Sequence, residues 1–212
     1  MEYKDARITE YLEAAASASA TPGGGSVSAL IAALGAALGQ MVYNLTVNKK
    51  SYQENDETVK TAVETDFRAI AALQKDFTEL IDRDVAAFNL FMDALGLPRE
   101  TDEDKAKRNA ALQEASVIAM KVPLETAGKA FELLEHLESI ARYGHKNCIS
   151  DAGVAALCAH AALQASVMNV RINLGGIDDE AIKERAESSA SAYIEGSARM
   201  TEEIVKSVYS RI

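Results

Sequence analysis

The chain has 212 residues, 48% of them hydrophobic and 25% charged, and a formal net charge of -10. This length and mix suit one globular domain with a sizeable core and exclude a disordered chain. The acidity argues against nucleic-acid binding, which needs a basic face to neutralise phosphate, and an anionic ligand would need locally focused Lys or Arg.

Only three prolines and twelve glycines punctuate the sequence, so long stretches lack any breaker and read as helix. From Tyr3 to Ala20, Ile8, Tyr11, Leu12 and Ala15 fall at helical spacing. Thr21-Pro22-Gly23-Gly24-Gly25 stops that helix, and Ser26 is the expected N-cap of a second, running to about Val47. A third pattern extends from Asp56 to Leu95, carrying Val59, Val63, Phe67, Ile70, Leu73, Phe77, Leu80 and Ile81, and ends at Gly96-Leu97-Pro98. Thr101 or Asp102 caps the fourth helix, with acidic residues in its first turn as the helix dipole prefers. Pro123 predicts a kink or break near Val122, before a further helix from Leu124 to Ala141 closed by Gly144. Ser150-Asp151 reads as an N-cap pair before a helix from Ala152 to Val170, and a last amphipathic helix starts near Asp178. No strand alternation persists. The expected fold is all-α, a single-domain bundle of long antiparallel helices spanning 1–212.

No charged residue occurs between Glu13 and Lys49 or between Asp151 and Arg171. Both stretches are long enough for a membrane span. Their Ala and Gly content, their polar Ser28, Gln40, Asn44, His160, Gln164 and Asn169, and their lack of aromatic belts argue against one. We expect two central helices, with charged helices outside them or with part of their surface forming a dimer interface. Gly35-x-x-x-Gly39 and the alanines allow close backbone approach. Gln40, Asn44, Asn169 and Asn173 need hydrogen-bond partners when buried, from each other, from nearby backbone or from a ligand.

Cys148 and Cys158 lack metal spacing and read as small core residues in a reducing compartment. The N-terminus carries no apolar signal core, so a cytoplasmic location is expected. His136, His145 and His160 have no ligand spacing, and no metal site is expected.

The glycine triplet before a helix is the strongest chemical signal, since its N–H groups can approach a ligand and the helix end favours an anion. No Gly-Lys-Ser/Thr follows it and no strand precedes it, which removes the nucleotide-loop readings. A tight inter-helix turn fits the triplet equally well. Lys49 and Lys50 satisfy a helix C-terminus, and could also hold a carboxylate tail or serve as acid or base. Asp84 lies four residues before Phe88 and shares its inward face, where a carboxylate is either structurally paired or catalytic.

Together these segments resemble the cyclodeaminase domain of formiminotransferase-cyclodeaminase and the stand-alone methenyltetrahydrofolate cyclohydrolases. The resemblance covers nearly the whole chain. Its most specific parts are Thr21-Pro22-Gly23-Gly24-Gly25-Ser26-Val27, Asp84-Val85-Ala86-Ala87-Phe88 and Leu97-Pro98-Arg99-Glu100-Thr101. Arg108 to Ala115, Val122-Pro123-Leu124, Ser150-Asp151 and Asn169 to Leu174 also match. Two positions depart from the family pattern: His145 follows Gly144 where Asn is common, and Asn48 stands where Gly is common. The resemblance implies an all-helical homodimer acting on a tetrahydrofolate that carries a one-carbon unit, with no cofactor beyond that substrate. It leaves both reactions open, cyclodeamination of 5-formiminotetrahydrofolate and hydrolysis of 5,10-methenyltetrahydrofolate. A non-catalytic dimer binding folate or an acidic metabolite, and a purely structural scaffold, are the competing classes.

Residue chemistry then nominates Asp84 as acid/base, with Lys50 as the alternative proton donor. Ser26 and the N–H groups of Gly23, Gly24 and Gly25 would position the ligand. Lys49 and Tyr52 would meet its aminobenzoyl-glutamate part. Asp151, Asn169 and Asn173 would hold the pterin, with Ser150 and Asn44 as further polar contacts.

Overall fold

The computed structural model describes residues 2–212. Its elements are a short 3-10 turn (Tyr3–Asp5), α1 (Ile8–Ala15), α2 (Gly24–Thr46), α3 (Lys50–Gln53), α4 (Glu57–Leu95), α5 (Asp102–Tyr143), a 3-10 turn (Lys146–Cys148), α6 (Ile149–Leu174) and α7 (Glu180–Tyr209). No strand occurs among the described residues. The all-α expectation holds.

The long helices alternate in direction. Gly24 meets Asn169 at one end of α2 and Gly35 meets Ala155 and Cys158 farther along, so α2 and α6 run antiparallel. Ser26–Asp84 with Gln40–Gln74 sets α4 antiparallel to α2, and Arg83–Glu125 with Asp66–His136 sets it antiparallel to α5. The glycine pair of α2 serves two neighbours. A Cβ on Gly35 would press on the Ala155 carbonyl, and one on Gly39 would stand 2.6 Å from Leu137 of α5. Fully buried Ile70, Phe77 and Leu80 of α4 interleave with Leu133, Leu134, Leu137 and Ile140 of α5 and Leu163 of α6. Each such side chain contributes roughly 1.5–3 kcal/mol.

Four local expectations need correction. The N-terminal helix ends at Ala15, well short of Ala20. Gly23, not Ser26, occupies the N-cap of α2, so Ser26 is a fully buried residue of its first turn. Cys148, not Ser150-Asp151, precedes α6, because a 3-10 turn capped by His145 already starts the chain winding. Most notably, α5 passes through Pro123 as one 42-residue helix. Its packing against α4 and α6 outweighs the single lost backbone bond.

The two uncharged helices are neighbours, but they are not enclosed. Both have the length and apolar composition of a membrane span, and about half of each is covered by the bundle. Leu34, Met41 and Leu45 on α2, and Val154, Leu157, Met168 and Ile172 on α6, remain exposed. Helix α5 is the one with neighbours on most sides, touching α2, α4, α6 and α7.

Candidate active site

The start of α2, the second half of α4, the middle of α5 and the end of α6 converge because their antiparallel order brings these segments to one end of the bundle. Between them lies a cleft of about 290 Å³, near the lower bound for small-molecule sites. Its wall carries Gly23, Gly24, Gly25, Asp84, Phe88, Phe91, Ser116, Ala119, Asn169 and Asn173. Asp84, Ala87, Phe88 and Phe91 follow the three- and four-residue steps that put helix residues on one face.

Asp84 sits half-buried at the N-terminus of α2. The Ser26 N–H donates to its Oδ2 at 2.9 Å. Gly25 is the residue that permits this approach, since a Cβ there would stand 2.0 Å from Asp84 Oδ1. The helix end expected to cradle a ligand anion thus faces the protein's own carboxylate. Burial raises the Asp84 pKa above the ordinary aspartate value, and the Ser26 N–H only partly offsets that. Behind it, the Ser26 hydroxyl and the Tyr11 phenol share a 2.9 Å hydrogen bond. Burial also raises the Tyr11 pKa, so this phenol stays protonated at neutral pH. Next to the site, Asp82 accepts the Tyr3 N–H at 2.6 Å and ties the N-terminal segment to α4.

Both cleft asparagines are anchored to backbone. Asn169 donates through Nδ2 to the Ala165 carbonyl at 2.8 Å, and Asn173 to the Ala119 carbonyl at 2.7 Å. The amides do not pair with each other. Phe88 and Phe91 add apolar faces suited to a flat ring. Among the described residues, Asp84 is the one titratable side chain on the cleft wall, which carries no Lys or Arg.

The structure therefore brings together Gly23, Gly24, Gly25, Asp84, Asn169 and Asn173, with Ser26 behind the wall. The other nominated residues lie elsewhere. Helix α2 has 23 residues and so spans about 33 Å, which puts Lys49 and Lys50 at the opposite end of the bundle. Lys50 is solvated, 3.8 Å from Glu54. Tyr52 is buried in the core there, edge-on to Tyr43, and makes no part of an open wall. Asn44 is exposed beside Met41 and Leu45. Ser150 and Asp151 stand in the first turn of α6, about 27 Å from Asn169 at the usual rise. Within one chain, neither they nor the lysines can share a ligand with Asp84. Sequence reasoning missed Phe91, Ser116 and Ala119. The seven-residue step from Asp84 could have flagged Phe91, but nothing in the sequence marks the other two.

Fold and site together define an all-helical enzyme-like bundle, with one half-buried carboxyl sharing a cleft wall with aromatic rings and two asparagines and, among the described residues, with no Lys or Arg. The profile described as Formiminotransferase-cyclodeaminase matches residues 7–192. A methenyltetrahydrofolate cyclohydrolase from Methylorubrum extorquens is 39% identical over 97% of both chains. A formimidoyltransferase-cyclodeaminase from Rattus norvegicus is 35% identical over 90% of this chain, which spans 35% of that longer protein. The crystal structure of formiminotetrahydrofolate cyclodeaminase from Thermotoga maritima superposes with a TM-score of 0.82 at 29% identity, covering 98% of this chain and all of that one. The chain belongs to the formiminotransferase-cyclodeaminase family.

Proposed function

We propose that this chain is a folate one-carbon enzyme working at the N5/N10 bridge of tetrahydrofolate, with Asp84 as its general acid and base. The observation that carries the assignment is the isolation of Asp84. Among the described residues it is the only titratable group on the cleft wall, its pKa is raised by burial, and it shares that wall with two asparagines and two phenyl rings. A raised carboxylate pKa suits a group that must both take and return a proton near neutrality.

For 5,10-methenyltetrahydrofolate the substrate is a cation delocalised over N5, the bridging carbon and N10. An anionic, cation-free cleft complements it. Asp84 takes a proton from water as the oxygen adds to the bridging carbon. The tetrahedral adduct then collapses: its hydroxyl loses a proton, the C–N5 bond breaks, and Asp84 returns a proton to N5. The products are 10-formyltetrahydrofolate and one released proton. For 5-formiminotetrahydrofolate with its amidine-like formimino group protonated, N10 attacks the formimino carbon, Asp84 takes the N10 proton and delivers it to the resulting amino nitrogen, and ammonia leaves to give the 5,10-methenyl cation. Both routes share a tetrahedral carbon between the same two nitrogens, so one cleft accommodates either.

Asn169, Asn173 and the glycine turn hold the pterin end in this reading, and no cofactor beyond the folate is required. Residues 1–212 act as one cytoplasmic, soluble domain. The exposed apolar stripe of α2 and α6, which carries no charge between Glu13 and Lys49 or between Asp151 and Arg171, supports a homodimer through a second copy of that face. Lys50 is not a proton donor to a ligand at Asp84 of its own chain, because α2 separates them by its full length.

The test offers the two folates separately and follows methenyl absorbance and ammonia release. Turnover of either with loss on Asp84→Asn supports the assignment. Tight folate binding without turnover of either selects a non-catalytic folate binder.

A further inference from the structure

An interior proline removes one backbone N–H, and the carbonyl four residues earlier loses its axial partner. In α5 the proline is Pro123, so the orphaned acceptor is the Ala119 carbonyl. That carbonyl is not idle. It accepts the Asn173 amide from α6 at 2.7 Å, and both residues stand on the cleft wall. An asparagine can present either its oxygen or its NH2 group to a ligand, and its fixed partner decides which. Here one N–H of the NH2 end is held by Ala119, which fixes the flip of the amide, and no described residue donates to Asn173 Oδ1.

We propose that Pro123 is a positioning residue of the cleft. By freeing the Ala119 carbonyl it fixes the orientation of the Asn173 amide, holding one N–H on Ala119 and leaving the carbonyl oxygen unpartnered among the described residues. Asn169, one helical turn away, reaches the same state by donating to the Ala165 carbonyl four residues back in its own helix. The cleft thus offers two neutral acceptors on adjacent turns of α6, spaced about 5–6 Å apart. Two acceptors select a ligand edge made of N–H donors, which the amino and amide edge of a reduced pterin supplies. This last step rests on the folate reading above.

The end of α6 is pinned to make the arrangement hold. Gln113 of α5 donates to the Gly176 carbonyl at 3.1 Å and accepts the Asp178 N–H at 2.8 Å. Gly176 packs so closely on Ser116 that a Cβ would stand 2.8 Å from its hydroxyl. These contacts, just beyond the end of α6, oppose a slide of α6 along α5 that would compensate for a lost Asn173 contact.

The test compares wild type with Pro123→Ala, Asn173→Ala and the double variant. Alanine at 123 restores the axial N–H, which draws the Ala119 carbonyl back along α5. Because proline is the least favourable residue inside a helix, Pro123→Ala is expected to melt no lower than wild type. The side-chain amide signal of Asn173 in a 15N–1H spectrum should nevertheless move and exchange faster. KM for 5,10-methenyltetrahydrofolate should rise about 5- to 20-fold, with a smaller change in kcat. Asn173→Ala should show the same rise, and Pro123→Ala should add nothing in that background. A Pro123→Ala protein with wild-type KM and an unmoved Asn173 amide signal overturns the proposal. Should that variant misfold, Asn173→Asp keeps the shape but lacks the donor, and wild-type KM there overturns it equally. The amide signal needs no ligand, so it tests the role of Pro123 even if wild type processes neither folate.

Discussion

Helices α2 and α6 present two pairs of ends to the rest of the molecule, and the two could hardly differ more. At one, Gly23 to Gly25 meet Asn169, Asn173 and Asp84 in a concave cleft walled by α4 and α5. At the other, Lys49 and Lys50 follow α2 and Ser150 and Asp151 open α6, with the His145 N–H donating to the Thr46 hydroxyl between them. The second end holds more charge and looks more chemical in the sequence. Yet the Lys50 side chain is 91% exposed, where water screens it and its ion pair with Glu54 contributes little. The cleft wall at the first end has one charged group among the described residues, but burial shifts its pKa and a backbone N–H holds it in place. Concavity and desolvation, rather than the number of charges, make the site.

The sharpest way to break this contrast is Gly25→Ala. The added methyl would lie 2.0 Å from Asp84 Oδ1. It should lower kcat/KM by at least about 100-fold and cost roughly 1–3 kcal/mol of stability. Gly24→Ala, whose methyl would meet only the Asn169 amide at 3.2 Å, should be far milder. A comparable pair of rates would mean that Asp84 does not depend on the glycine turn.

The stripe that joins the two ends is tested by Leu157→Glu, which places a carboxylate on the exposed face of α6. Light scattering should report a dimer for wild type and a monomer for the variant. An unchanged mass would remove this face as the interface.

Asp84→Asn probes burial directly. A carboxyl with a raised folded-state pKa binds its proton more tightly folded than unfolded. Its contribution to stability is therefore fully present below the ordinary aspartate pKa, and is lost as pH rises through the raised value. At pH 8, Asp84→Asn should melt above wild type. The gap should close as pH falls towards the ordinary aspartate range. A gap that does not depend on pH would contradict desolvation as the cause.

The smallest effect belongs to the far end. Lys50→Ala should change kcat and KM by less than about twofold, within the range of a solvated surface substitution. A tenfold loss, restored by mixing with the Asp84→Asn variant, would instead place the lysine in the cleft of a second copy.

Much of this was legible in the residues. Apolar spacing on α4 and the capping Thr101, whose hydroxyl accepts the Asp104 N–H, determine local structure and could be read directly. Asp84 and the glycine turn were nominated because unusual residue types sat on inward or breaker positions. What stayed hidden depended on packing between elements. Pro123 signals a break on local grounds, but α4 and α6 hold α5 together through it. Tyr52 and Lys50 are near neighbours in sequence, yet one is core and the other solvent, a distinction set by the turn after α2. That Ser150 and Asn169 occupy opposite ends of one helix was legible, since a rise of about 1.5 Å per residue over the expected helix already keeps them from meeting one ligand. Ser116 and Ala119 are small residues that become cleft wall only through the position of α6.

The most direct measurement is the pH profile of kcat/KM for 5,10-methenyltetrahydrofolate and 5-formiminotetrahydrofolate, run on wild type and Asp84→Asn. Wild type should show an acidic limb above the ordinary aspartate range, where the buried carboxyl takes up its proton. Asp84→Asn should lose that limb and about 100-fold or more in rate. Full turnover by Asp84→Asn with an unchanged profile would show that the carboxylate in the cleft is not the acid/base.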